Sequence, residues 1–499
     1  MFYILAKMYH NGGMHVYFSG IGGAGIGPLA MIAKQAGYDV SGSDKQNSSY
    51  IELLHKQGVK EIKTDVQDAS HIQEVHTQTP IDWFVYSSAV IKENPNHPEI
   101  EFCRNQNIKT TKRDEFINQI ISDKNLKMIA IAGTHGKTTT TAMAIWLFKQ
   151  LGIPISYSVG AKLSFGEPGE FVSGSEYFVY EADEYDRNFL TFHPTLSIIP
   201  GIDWDHADIY PTREEYYQAF RDFLAQSNQK VIWQSDIDRL NVTADDSYHI
   251  LDESSPETSK FRLAGIVNRQ NAYQVVAAVQ QLTQKPFDEL KDIINKFPGV
   301  SRRFERIAEN VYSDYAHTPA KIRGALQLAV EVLQSHETRI MDSDEAQGSG
   351  EEQSKPYMQY DERVPDPVTP RFAESAGSVI DSVDMQDGAT QRPGVVVVYE
   401  GLHNTRQHFI KDDLAHLFDD VKKLYVVPSY LAREDESLEM LTPEKLIAIT
   451  AKPDKAEAKV LDEDLRQTIE RHQKSGDLVL CLTAGGGNSL DEWLRRNFS

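Results

Sequence analysis

The chain has 499 residues, enough for about three domains of ordinary size. Its 51 basic and 73 acidic side chains leave a net charge of −22, which argues against a nucleic-acid partner, because phosphate backbones demand basic surfaces. No apolar run approaches the ~20 residues of a membrane span, and the two distant cysteines, Cys103 and Cys481, fit a reduced, cytoplasmic setting without a membrane partner. Residues 1–13 are too short and too polar for a secretory signal and read as an extension ahead of the first strand.

From Met14 to Lys124 strands alternate with helices. Strands are predicted at His15–Ser19, Tyr38–Ser41 and Trp83–Ser87, and helices at Pro28–Ala36 and Tyr50–Gln57. This βαβ rhythm implies a mostly parallel, doubly wound sheet. Gly20, Gly22, Gly23, Ala24 and Gly25 form a turn between the first strand and the first helix, and Asp44 closes the second strand. The spacing is that of dinucleotide sites, with a diphosphate on a helix N-terminus. Two ligands satisfy it, NAD and a UDP-sugar. A UDP-type diphosphate is preferred, because an ATP-type loop follows a domain later and a dehydrogenase has no use for one.

The second block runs from Asn125 to Pro298. Ile129, Ala130 and Ile131 end a buried strand, Gly133-Thr134-His135-Gly136 is a tight turn, and Lys137 and a run of threonines open a helix. Such a turn aims backbone N–H groups and a helix N-terminus at one spot, which suits phosphate. Lys137 reaches the terminal phosphates of ATP and the Thr138 hydroxyl ligates Mg²⁺. Gly133 and Gly136 enclose only two residues, unlike the usual phosphate loop.

A strand at Tyr177–Glu181 delivers four acids, Glu181, Asp183, Glu184 and Asp186, and a strand at Leu196–Pro200 leads to Asp203, Asp205, His206 and Asp208. Carboxylates crowded at a carboxyl edge repel one another, and a divalent cation relieves that repulsion. His206 is a candidate ligand to a second metal that shares Glu181. Helices are predicted near Glu214–Leu224 and Ala272–Leu282. Asn268 and Asn271, at a helix start, read adenine or cap the helix.

The third block begins at Gly299. Strands are predicted at Val311–Asp314, Val395–Tyr399, Lys423–Val427 and Leu478–Thr483, with a helix at Pro319–Leu333. Arg302 and Arg303 follow a Pro-Gly turn, and one of them can neutralise a transferring γ-phosphate. Asp314 and His317 lie at another carboxyl edge. Residues 338–393 are rich in Asp, Glu, Gln, Ser, Gly and Pro and read as a disordered surface insertion, since they cannot bury enough surface to offset their ordering entropy.

Taken in order, GIGGAGIG at Gly20–Gly27, SGSD at Ser41–Asp44, SSAV at Ser87–Val90, GTHGKTTTT at Gly133–Thr141, EADEYD at Glu181–Asp186, Asp205–His206, NRQNA at Asn268–Ala272, GVSRRFE at Gly299–Glu305 and DYAHTP at Asp314–Pro319 resemble the Mur ligase family. The resemblance covers the chain except residues 1–13 and the insertion. It implies an α/β fold of three domains: a Rossmann-like N-terminal domain over 14–124 that binds a UDP-sugar, a central P-loop ATPase domain over 125–298, and a C-terminal Rossmann-like domain over 299–499 that brings the amino acid.

The resemblance also implies roles. ATP would lie on Gly133, Thr134, His135, Gly136, Lys137, Thr138 and Thr139, with Asn268 and Asn271 at adenine, Asp314 at ribose and Arg303 at the γ-phosphate. Thr138, Glu181 and His206 would hold Mg²⁺; Lys137, Arg303 and His206 would be catalytic. Gly20, Gly22, Gly23, Ala24, Gly25, Asp44, Ser87 and Ser88 would hold the UDP-sugar, and Tyr315, His317 and Arg406 the amino acid. Sister ligases carry a carbamylated lysine where Phe220 stands here; the alanine-adding branch also lacks it. The implied reaction is ATP-dependent joining of L-alanine to UDP-N-acetylmuramate by a monomer or weak homodimer. DYAHTP, Asn404-Thr405 and Lys411–Leu414 depart from the alanine branch and keep open an alternative amine, L-alanyl-γ-D-glutamyl-diaminopimelate. A nicotinamide dehydrogenase and a nucleotide-regulated binding protein are the readings from other classes.

Overall fold

The computed structural model describes residues 13–65, 67–206, 209–343, 393–431, 434–435, 437–484 and 489–498. Most of the expected insertion, residues 1–12 of the expected N-terminal extension and Asp208 lie outside them. The chain divides into two units. One holds the described residues up to Phe261 together with Gln270–Val300; the other holds Arg262–Arg269 and the described residues from Ser301 onward.

The first unit contains two sheets. Strands β1 (His15–Ser19), β2 (Asp39–Ser43), β3 (Ile62–Lys63), β4 (Trp83–Tyr86) and β5 (Lys109–Lys112) form a parallel sheet in the order β3-β2-β1-β4-β5. The alternation of β1 sends Val16 and Phe18 into one apolar cluster and Tyr17 into another, so both faces of the sheet are covered. The second sheet is built from β6 (Lys127–Ile131), β7 (Ile155–Ser158), β8 (Gly169–Glu170), β9 (Tyr177–Glu181), β10 (Leu196–Ile199), β11 (Gln229–Trp233) and β12 (Tyr248–Leu251). Its order is β12-β11-β10-β6-β9-β7-β8, with only the β7–β8 pair antiparallel. One cluster of buried side chains runs from the first sheet into the second, through Phe116, Met128, Tyr180 and Phe189. Phe220 lies in it, fully buried and edge-on to Phe189.

The second unit carries β13 (Glu305–Ala308), β14 (Val311–Asp314), β15 (Val395–Leu402), β16 (Lys423–Tyr430), β17 (Ala456–Ala458) and β18 (Leu478–Leu482) in the order β13-β14-β18-β15-β16-β17. Every residue of β15 is buried, with Val395, Val397 and Tyr399 packed on one face and Val396 and Val398 on the other. That two-sided burial is why Val395–Tyr399 read as an unbroken apolar run.

Two helices differ from expectation. The helix predicted to end at Leu333 runs from Pro319 to Ser343, into the segment assigned to the insertion. The helix predicted from Ala272 starts at Ile266, and Arg262–Arg269 group with the second unit. Asn268 and Asn271 therefore fall in different units.

Candidate active site

The phosphate loop connects β6 to the helix Lys137–Gln150. Gly136 caps that helix with φ +76°, a left-handed conformation that glycine adopts without strain. A Cβ there would stand 3.0 Å from both Pro200 Cβ and Asn271 Oδ1, so the turn is pressed against buried Asn271. Thr134 is committed to structure: its hydroxyl donates to the Asp203 carbonyl at 2.5 Å and lies 2.8 Å from the Tyr216 hydroxyl. His135 and Thr139 are half-buried beside it. Lys137 Nζ donates to the Gly133 carbonyl at 2.6 Å and forms an ion pair with Glu184 at 2.7 Å. The Glu184 side chain is 1% exposed. Burial alone would raise its pKa, but Lys137 and His206 bring it down to about 2, so the pair is ionised.

The four acids from the end of β9 onward take four separate partners. Glu181 accepts from Thr138 Oγ1 and from the Gly160 amide, both at 2.8 Å. Asp183 meets Arg113 at 3.3 Å. Glu184 takes Lys137, and His206 Nε2 stands 3.4 Å from it. Asp186 accepts from Lys112 at 2.5 Å and from Ser88 Oγ at 3.0 Å. Asp186 and Arg187 are consecutive left-handed residues, at φ +56° and +57°, and His206 is a third at +57°. Non-glycine residues held there store strain, and such strain clusters at functional sites. Thr138 and Glu181 form an oxygen-donor pair of the kind Mg²⁺ accepts. His206, expected to share a second ion with Glu181, stands with its Nε2 3.4 Å from Glu184. Among the described residues no group of three or more His, Cys, Asp or Glu side chains is arranged around a metal position.

The first glycine loop rests on a buried carboxylate. Gly20 (φ +77°) and Ile21 both donate their amides to the Ser43 carbonyl, at 2.9 and 3.0 Å. Glu99, fully buried beneath, accepts from the hydroxyls of Ser19 (2.6 Å), Ser43 (2.5 Å) and Tyr17 (2.9 Å). Burial raises its pKa against those three donors. Asp44 Oδ2 accepts from the Gly22 amide at 2.8 Å, so this carboxylate is engaged by the loop where a dinucleotide site would offer it to ribose. Ser87 Oγ would stand 3.7 Å from a Cβ at Gly20. Gly23, Ala24 and Gly25 complete the turn, and the Gly27 amide donates to the Gly23 carbonyl at 2.8 Å.

The two loops share one cavity of about 230 Å³. Ala24 and Gly25 line one part of it, Lys137 and Glu181 another, and Arg113 and Asp183 lie among them.

In the second unit, Arg302 is locked to Asp491 at 2.8 Å, and Asp491 is itself fully buried and held by Ser313 and Arg495. Arg302 and Phe304 are left-handed, at φ +60° and +48°, and Arg303 is carried between them. Its guanidinium lies over the Tyr315 ring, 5.6 Å from the centroid. Arg302 is thus tied to the buried Asp491, while the Arg303 guanidinium faces Tyr315. Asp314 accepts from the Phe304 amide at 2.7 Å, and burial pushes its carboxyl up to about 6 against the pull of Arg303. The Tyr315 and His317 rings touch at a tilt of 57°, with centroids 4.6 Å apart. Burial, and then the cations of Lys321, Arg406 and Arg303, hold the His317 pKa well below its ordinary value, so the imidazole is neutral. The structure thus brings Arg303, Tyr315, His317 and Arg406 together. Asn268 donates to the Ala264 carbonyl at 2.8 Å.

Four charged side chains hold these networks together without a sequence signal for it. Glu184, one of the four crowded acids, is the counterion of Lys137. Arg113, Glu99 and Asp491 sit in no recognisable motif; lone charged residues in unremarkable surroundings carry no signal until the fold buries them.

A model for the Mur ligase family, catalytic domain, matches residues 15–125, and one for the Mur ligase middle domain matches residues 131–291. The chain is 31% identical over 349 residues to a UDP-N-acetylmuramate–L-alanine ligase of Caldicellulosiruptor bescii, covering 62% of this chain and 73% of that protein. It is 32% identical over 351 residues to a protein of the same name from Cytophaga hutchinsonii, with the same coverage of 62% and 73%. The crystal structure of UDP-N-acetylmuramate-alanine ligase from Thermotoga maritima matches with a TM-score of 0.67 over 97% of this chain and 98% of that one, at 21% identity, a likeness of fold.

Proposed function

The chain belongs to the Mur ligase family, and from that premise we propose that it is an ATP-dependent, amide-forming ligase that joins L-alanine to the carboxylate of UDP-N-acetylmuramate in peptidoglycan precursor synthesis. The observation that carries this reading is the shared cavity, in which Ala24 and Gly25 of the diphosphate loop face the same space as Lys137 and Glu181 of the phosphate loop. A dehydrogenase needs no lysine-bearing phosphate loop beside its dinucleotide site, whereas a ligase that phosphorylates a UDP-linked acid needs both loops.

The reaction follows from that adjacency. A carboxylate oxygen of the UDP-sugar attacks the γ-phosphorus of ATP, the bond to the β-phosphate oxygen breaks, and ADP leaves behind an acyl phosphate. The amine of L-alanine, deprotonated, attacks the acyl carbon, the carbon–oxygen bond breaks, and inorganic phosphate leaves. Lys137 neutralises charge on the transferring group, and Arg303 adds a planar, always-charged fork. Thr138 and Glu181 are the residues to hold Mg²⁺, which when bound offsets phosphate charge. Tyr315, neutral His317 and Arg406 receive the amino acid, and the proton released as the amide forms passes to the departing phosphate. Among the described residues no helix is long and apolar enough to cross a membrane. A cytoplasmic monomer or weak homodimer completes the reading.

Phosphate release from ATP, Mg²⁺ and UDP-N-acetylmuramate should depend on L-alanine. Release with L-alanyl-γ-D-glutamyl-diaminopimelate alone would move the chain to the alternative substrate. No release with any amine would end the ligase reading.

A further inference from the structure

Arg113 opens the helix Arg113–Asp123 immediately after β5, and its side chain is 19% exposed. A Cβ on Gly25 would stand 2.2 Å from its Nη1, so the guanidinium occupies the space that the absent side chain leaves. Its acidic neighbours are Asp183, 3.3 Å from Nη2, and Asp114, 3.4 Å from Nε. Both distances exceed the ~2.7–2.9 Å of a tight charge-assisted bond, so the fork is held without being saturated. The Lys137–Glu184 pair, by contrast, closes to 2.7 Å.

We infer that Arg113 receives the carboxylate of the acid substrate, exchanging Asp183 for it and presenting it beside Lys137. This inference rests on the ligase reading and names the residue that holds the attacking group. Three observations carry it. Arg113 lines the same cavity of about 230 Å³ as Lys137 and Glu181, where the terminal phosphate must lie, so an anion on its fork is adjacent to the phosphorus it must attack. The fork is planar and matches a carboxylate with two parallel bonds. Asp183 is the acid able to give way: its side chain is 38% exposed and can return to water, whereas Glu184 at 1% and Asp114 at 4% cannot be released without stranding a buried charge. The diphosphate of the same substrate is served separately by the Gly20–Gly25 amides.

Calorimetric titration with two UDP-sugars separates the possibilities. UDP-N-acetylmuramate carries the carboxylate; UDP-N-acetylglucosamine carries the same diphosphate without it. Arg113→Lys, which keeps the charge and loses the fork, should weaken the acid about tenfold and leave the neutral sugar unchanged. Asp183→Asn removes the internal competitor and should tighten the acid several-fold, again without effect on the neutral sugar. That gain is one no merely structural role produces, and it remains readable should Arg113→Lys fold poorly. Equal weakening of both sugars by Arg113→Lys, or weaker binding of the acid by Asp183→Asn, overturns the inference. A wild-type protein that binds neither sugar overturns the ligase reading itself, whereas wild-type binding that both variants leave untouched overturns this inference alone.

Discussion

Lys137 and Glu184 cannot be removed independently, because each leaves the other as a buried, uncompensated charge. Lys137→Met should abolish ADP formation and, by stranding a carboxylate that is 1% exposed, lower stability by about 3–5 kcal/mol. Lys137→Met combined with Glu184→Gln should recover most of that stability while staying inactive, as a thermal melt beside an ADP assay will reveal. The pH dependence has a definite sign. Glu184 titrates at about 2 in the folded protein against an ordinary 4.5. A depressed carboxyl stabilises above its unfolded pKa and loses that contribution as pH falls through the folded one. Wild type should therefore lose more stability than the double variant between pH 4.5 and about 2, measured by denaturant midpoints across that window.

Among elements, the six strands at sheet edges are β3, β5, β8, β12, β13 and β17, and the sequence marked none of them. An edge strand is flanked by one neighbour and covered incompletely, so it lacks the apolar run that betrays β15 or the clean start of β1. Lys109–Lys112, for instance, contains no apolar residue and is placed only by its pairing with β4. The site divides the same way. The phosphate loop was legible because strand, glycine turn, lysine and helix occur in one contiguous stretch. The partners of the four acids from the end of β9 onward were not, since Arg113, Lys112 and Ser88 reach them from distant parts of the chain. Close strand contact also makes Gly42 a sensitive position. A Cβ there would fall 2.4 Å from the Phe18 carbonyl oxygen of β1 and 2.8 Å from Ile21 Cδ1. Backbone cannot yield as a flexible side chain does, so Gly42→Ala should cost about 2–3 kcal/mol and loosen the first loop. A lower melting temperature with weakened UDP-sugar binding and intact ATP binding is the expected pattern.

For the whole molecule, both glycine loops and the acids at the end of β9 belong to the first unit, and Arg303, Asp314, Tyr315, His317 and Arg406 to the second. The acidic stretch between Ser343 and Pro393 carries none of the residues assigned here. Replacing 344–392 with a Gly/Ser chain of equal length should leave the rate of phosphate release within a few-fold of wild type. Loss of turnover would place that stretch inside the machinery.

The strut beneath Arg302 has a consequence for how the molecule comes into being. Ser313 and Asp491 are 178 positions apart, and the parallel pairing of β14 with β18 spans a comparable stretch. Contacts so distant along the polymer close slowly, because a long loop must be gathered before they can form. The segment that presents Arg303 is thus among the last parts of its unit to set. In refolding kinetics, recovery of helical and strand signal should precede recovery of turnover, with the delay tracking closure of that loop.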